Sequence, residues 1–117
     1  MEMIIVKSKV KEIAEGCNVS GDFAEGLNKV ALNEVKAASK RAEANGRKTV
    51  QGRDVFLGKI SGKAMLVVKS KVKNTLNNMN LSSDFSEALN ELLIWKVKQA
   101  ALRAEANGRK TVSLRDL

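Results

Sequence analysis

The 117-residue chain has no histidine, no tyrosine and no proline, and a single cysteine, Cys17. Each absence closes a line of chemistry. Without histidine the usual acid–base group at neutral pH is missing, and zinc sites built from Cys and His clusters are excluded. A lone cysteine makes no internal disulfide, which suits a reducing compartment. Three Phe and one Trp are too few for the stacking platforms that read single-stranded nucleic acid. The longest apolar runs, such as residues 3–6 and 65–68, are too short to span a bilayer. The start MEMIIVKSK lacks the basic flank and long apolar stretch of a secretion signal. A soluble, intracellular, cytoplasmic protein is therefore expected, with no membrane partner. No carboxylate pair and no nucleophile–base set stands out, so the expectation is a non-enzyme with no cofactor, no metal and no small-molecule substrate.

Positive charge is what the chain has in excess. Twenty-one Lys and Arg oppose 13 Asp and Glu, a net charge of +8 and a pI near 9.8. A chain that basic points to a polyanionic partner, whether duplex DNA, RNA or an anionic membrane surface; charge kept for solubility alone is the alternative. The excess is uneven. Residues 1–58 hold ten basic and eight acidic side chains, against eleven and five in residues 59–117.

The chain is also written twice. Residue n aligns with residue n+62 without a gap, residues 4–55 against 66–117, and 28 of the 52 pairs are identical. RAEANGRKTV occurs at 41–50 and again at 103–112. Between the copies, residues 56–65 have the Gly and Ser of a short connector. The organisation is thus a first repeat over 1–55, a connector over 56–65 and a second repeat over 66–117, together one compact domain.

Each copy reads as a short helix, a loop, a long helix, a loop and a very short helix. The first helix is expected over residues 4–15, stopping near Gly16. Ser20 can cap a long helix with Asp22 in its first turn. Its apolar stripe is Phe23, Leu27, Val30, Ala31, Val35, Ala38 and Ala42, ending at Asn45 and Gly46. The second copy repeats it with Phe85, Leu89, Leu92, Val97, Ala100 and Ala104, ending at Asn107 and Gly108. A helix of about 24 residues is roughly 36 Å long, more than the rest of its own half can cover, so the two long helices should cross and share one core. Asn33, Ala31 and Lys40 are matched by Trp95, Leu93 and Leu102, which casts the halves as specialised partners. Trp95 reads as core or interface, or as a base-stacking side chain. Cys17 is matched by Met79, so it reads as packing rather than a nucleophile.

These motifs resemble the histone fold, specifically a duplicated form of the small tail-less histones of bacteria and archaea. The carrying residues are NGRKT followed by RDV or RDL after the long helix, and NVSGDF or NLSSDF at its start. The resemblance implies an all-α fold of two histone-fold repeats packed head to tail as an intramolecular handshake pseudo-dimer, one chain standing for one histone dimer. Loop 1 of each repeat (17–20, 79–82) would lie beside loop 2 of the other (108–112, 46–50). The implied function is sequence-independent binding of double-stranded DNA by a nucleoid-associated architectural protein that bends or compacts it. A histone-fold protein–protein interaction module is the alternative.

The resemblance assigns DNA contacts to Lys48, Thr49, Lys110 and Thr111 in loop 2, and to Asn18, Ser20, Asn80 and Ser82 in loop 1. On the first helices it assigns them to Ser8, Lys9, Ser70 and Lys71. Lys7, Lys11, Lys69 and Lys73 flank those positions and read equally as a solvated basic surface. Arg53 and Arg115, in the short third segment, are expected as peripheral phosphate contacts. Arg47 with Asp54, and Arg109 with Asp116, are implied to be clamps bracing loop 2. Ser113 and Asp116 also read as a capping box opening the last short helix. The chain departs from the family where a loop 1 arginine would be, with Asn18 and Asn80 there. Ala44 and Ala106 replace the histidine of the junction between dimers, and the third segment is stunted. A long DNA-wrapping filament is therefore not expected.

Overall fold

The structure, a computed structural model, describes residues 3–14, 16–55, 66–76 and 79–117. The expected connector at 56–65 lies outside the described residues, as does Glu15. The first half contains α1 (Lys7–Ile13), β1 (Asn18–Val19), α2 (Gly21–Ala44), β2 (Thr49–Val50) and a 3-10 turn (Gly52–Asp54). The second half repeats the order with α3 (Lys69–Asn74), β3 (Asn80–Leu81), α4 (Phe85–Ala106), β4 (Thr111–Val112) and a second 3-10 turn (Leu114–Asp116).

The short helices begin later than the sequence suggested. Residues 4–6 and 66–68 are extended, and Ile5 pairs antiparallel with Val67. The Val6 N–H donates to the Leu66 carbonyl and the Val68 N–H to the Ile4 carbonyl, each at 2.8 Å. Branched side chains in IIV and LVV suit that pleated pairing better than a helical first turn. The last short helix is a single 3-10 turn in each half.

The halves interlock at their loops. β1 pairs in parallel with β4, Asn18 opposite Thr111 and Val19 opposite Val112. β2 pairs in parallel with β3, Thr49 opposite Asn80 and Val50 opposite Leu81. The start of α2 is thereby tied to the end of α4, and the end of α2 to the start of α4. The two ties are separated by the length of α2, roughly 36 Å at 1.5 Å per residue, within a molecule 47 × 29 × 22 Å in extent.

One hydrophobic core runs through both halves. Phe23, Leu27, Ala31, Val35, Ala38 and Ala42 of α2 join Phe85, Leu89, Leu93, Val97, Ala100 and Ala104 of α4, all buried. Val10, Val72, Val50 and Val112 close it from the short helices and loops. Val30 and its counterpart Leu92 are only half-buried, Val30 packing against the core from outside it. Cys17 and Met79, also half-buried, pack against the core from loop 1. Trp95 is not in the core: it is 54% exposed, and Leu102 is 58% exposed. Residue 95 lies two positions from the buried Leu93 and two from the buried Val97, about 200° around the helix from each. Burying that line turns the indole outward.

The buried Asn28 and Asn90 bring polar side chains into the interior. Asn28 Oδ1 accepts the Ile4 N–H at 2.8 Å, and Asn90 Oδ1 accepts the Leu66 N–H at 2.6 Å. Each long helix thus satisfies the buried backbone of its own half's extended segment.

Candidate nucleic-acid interface

The repeated RAEANGRKTV resolves letter by letter into a loop support. Ala42 and Ala104 face the core. Asn45 and Asn107 donate from Nδ2 to the Arg41 and Arg103 carbonyls at 2.8 Å, closing the ends of α2 and α4. Gly46 and Gly108 follow at φ +69° and +70°, the left-handed conformation that glycine adopts without a Cβ penalty. The chain then reverses, and Val50 and Val112 anchor loop 2 in the core.

Arg47 and Arg109 hold that turn from beneath. Arg47 donates Nη2 to Asp54 Oδ1 at 2.7 Å and Nη1 to Oδ2 at 2.9 Å. Arg109 makes the same two bonds to Asp116 at 2.6 and 2.8 Å. Each carboxylate also accepts a backbone N–H at 2.8 Å, from Gln51 or Ser113, at the start of the 3-10 turn. The arginine pair and the turn cap are therefore compatible, since a carboxylate has acceptor sites for both. Hydrogen bonding from Arg109, with the Ser113 N–H in support, holds the Asp116 carboxyl at about 2. Arg47 lowers that of Asp54 in the same way.

Arg41 and Arg103, the first letters of the repeated block, complete the support. Their Nη1 groups donate to the Asp54 and Asp116 carbonyls at 2.5 and 2.7 Å. Sequence reasoning missed these residues; their identity in both copies was the available signal. Arg41, Asn45, Arg47, Arg53 and Asp54 line a shallow open basin behind loop 2.

What the support leaves outside is Lys48 and Lys110, both exposed and in none of the ion pairs among the described residues. Their carbonyls accept the Asn80 and Asn18 N–H groups at 2.7 Å, so each lysine stands against the other half's loop 1. Thr111 is exposed and Thr49 half-buried. At loop 1 the Asn18 and Asn80 side chains are exposed. Ser20 stands at the N-cap of α2, but its hydroxyl donates to the Asp22 carboxylate rather than capping the backbone, and Ser82 donates to Asp84 in the same way. Those hydroxyl protons are committed. Asp84 also accepts the Gly52 N–H at 3.1 Å, and its carboxyl is lowered chiefly by the Ser82 hydroxyl.

On the short helices Lys7, Ser8, Lys11, Lys69, Ser70, Lys71 and Lys73 are exposed. Lys9 is half-buried and reaches Glu12 at 3.5 Å; the residue matching Glu12 in the second half is Asn74, which leaves Lys71 without that neutralisation. Arg53 and Arg115 are exposed on the 3-10 turns. Among the described residues no cluster of three or more His, Cys, Asp or Glu could hold a metal ion, and no helix is long and apolar enough to cross a membrane.

No family model matches the chain, and no curated protein matches it in sequence. Among solved structures, the crystal structure of the histone from Methanopyrus kandleri superposes with a TM-score of 0.67, over 96% of this chain and 89% of that one, at 22% identity. That likeness shows the fold: the chain has an all-α histone fold.

Proposed function

We propose that the protein binds double-stranded DNA independently of sequence as a histone-type architectural protein, one chain serving as the equivalent of a histone dimer. In this reading residues 1–55 and 66–117 are two histone-fold repeats joined in a handshake. The observation that carries it is the pair of loop junctions, each presenting an exposed lysine, Lys48 or Lys110, beside the other half's loop 1. Spaced cations and backbone groups on a rigid frame are what a phosphate-dominated binder requires. The junctions are roughly 36 Å apart, close to the ~34–36 Å of one DNA helical turn. The exposed Lys69, Lys71 and Lys73, with Lys7 and Lys11 of the first half, supply cations between the two ends, and Ser8 and Ser70 supply hydroxyls. Contact at both ends and the middle favours a bent duplex, with the cost of bending offset by the added phosphate contacts. Association with the nucleoid follows from this reading.

Binding to three unrelated DNA duplexes and one RNA duplex, from about 50 to 200 mM salt, tests it. Equal DNA affinities falling steeply with salt are expected, the slope counting contacts at about 0.9 per phosphate. No binding at low salt, or a sequence preference, would remove the proposal.

The exposed Trp95 and Leu102 favour a second reading, in which this side of α4 contacts a protein. Their first-half counterparts, Asn33 and Lys40, are polar. Replacing both with those residues leaves DNA binding intact if this reading is right, and removes any protein contact made there.

A further inference from the structure

The two halves meet at two further junctions, where the long helix of one half touches the 3-10 turn of the other. Residue 26 of α2 faces residue 114 at one junction, and residue 88 of α4 faces residue 52 at the other. The repeat equivalence makes 26 match 88, and 52 match 114. The residues at these matched positions differ, and they differ in a compensating way.

Gly26 is buried inside α2, and a Cβ placed on it would stand 2.2 Å from Leu114 Cδ1 and 3.3 Å from Leu117 Cδ1. At the other junction the helix residue is Ala88, which carries a Cβ, and the turn residue is Gly52. A Cβ on Gly52 would stand 3.2 Å from the Ala88 Cβ and 2.8 Å from Asp84 Oδ2. Each junction therefore has one glycine, on the helix side at one end and on the turn side at the other.

We propose that this transposed pairing makes the halves complementary, so that each half packs better against the opposite half than against a copy of itself. Two first halves would set Gly26 against Gly52 at both ends and leave the space of Leu114 unfilled. Two second halves would set Ala88 against Leu114 at both ends, with a methyl group where the leucine tip belongs. Only one half of each kind sets a single glycine at both junctions, which favours closure of the chain on itself. This rests on the repeat equivalence and the packing, not on DNA binding.

The test is a pair of thermal-unfolding cycles on the full chain without DNA. Gly26→Ala within a helix ordinarily stabilises, which gives the experiment a sign. Gly26→Ala is expected to lower Tm by about 3 °C or more, and in a Leu114→Ala background to raise it. At the other junction Gly52→Leu is expected to lower Tm and added Ala88→Gly to recover part of the loss. A rise in Tm for Gly26→Ala alone would mean that the half-exposed Leu114 turns aside freely, and would overturn the proposal. An equal effect in both backgrounds would overturn it too. If Gly52→Leu does not fold, the Gly26 cycle decides by itself.

Discussion

Asp54 and Asp116 each hold an arginine through two oxygens and a turn through one, so their charge is tied to the shape of loop 2. Both carboxyls are lowered in the folded chain, Asp116 to about 2, against about 3.9 when unfolded. A lowered carboxyl adds stability that is complete above its unfolded value and is lost as pH falls through its folded value. Tm is therefore expected to fall between about pH 4 and pH 2, and Asp116→Asn is expected to flatten that slope; an unchanged slope would argue against the pair. Asp54→Ala with Asp116→Ala is expected to lower Tm at neutral pH by roughly 5 °C or more, with a smaller effect on DNA affinity at a temperature where the variant is folded. Lys48→Glu with Lys110→Glu acts the other way. Neither lysine supports the fold, so helicity should persist while affinity drops about tenfold or more and the salt slope shrinks by about 2. Unchanged binding would detach loop 2 from the DNA.

Among the elements, the long helices were legible because their apolar stripes, glycine stops and repeat equivalence agree. α2 (Gly21–Ala44) lies between Ser20 and the Asn45-Gly46 stop. The short helices were less legible. Residues 4–6 carry an apolar pattern that a helix or a strand can use, and only the partner segment at 66–68 decides for extended backbone. Asn28 and Asn90 belong to the same decision, since each serves an N–H of that segment. Asn28→Leu leaves the buried Ile4 N–H without this acceptor and is expected to cost about 1–3 kcal/mol, read by urea denaturation. Asn33→Leu, at an exposed position of the same helix, should cost little. Equal losses would show that Asn28 is not bound as described.

For the whole molecule, the shared core and crossed loops leave neither half a complete interior of its own. Unfolding is expected to be a single transition, with hydrogen exchange at Val35 of α2 and Val97 of α4 reporting the same free energy as circular dichroism. Earlier opening of either half would contradict a shared core. Residue type and local spacing were enough to read the duplication, the basic excess and the long helices, while the arginine–aspartate pairs of the loop support were implied by the resemblance to the histone fold. The repeated block drew attention to loop 2, and the resemblance pointed to Lys48 and Lys110 within it. The resemblance implied which loop faces which, and local geometry turned the Ser20 and Ser82 hydroxyls to neighbouring carboxylates; packing decided that Trp95 points outward and that Gly26 lies beneath Leu114. Both packing outcomes depend on what one half brings against the other, and a contact between residues 26 and 114 leaves no periodic trace in the chain.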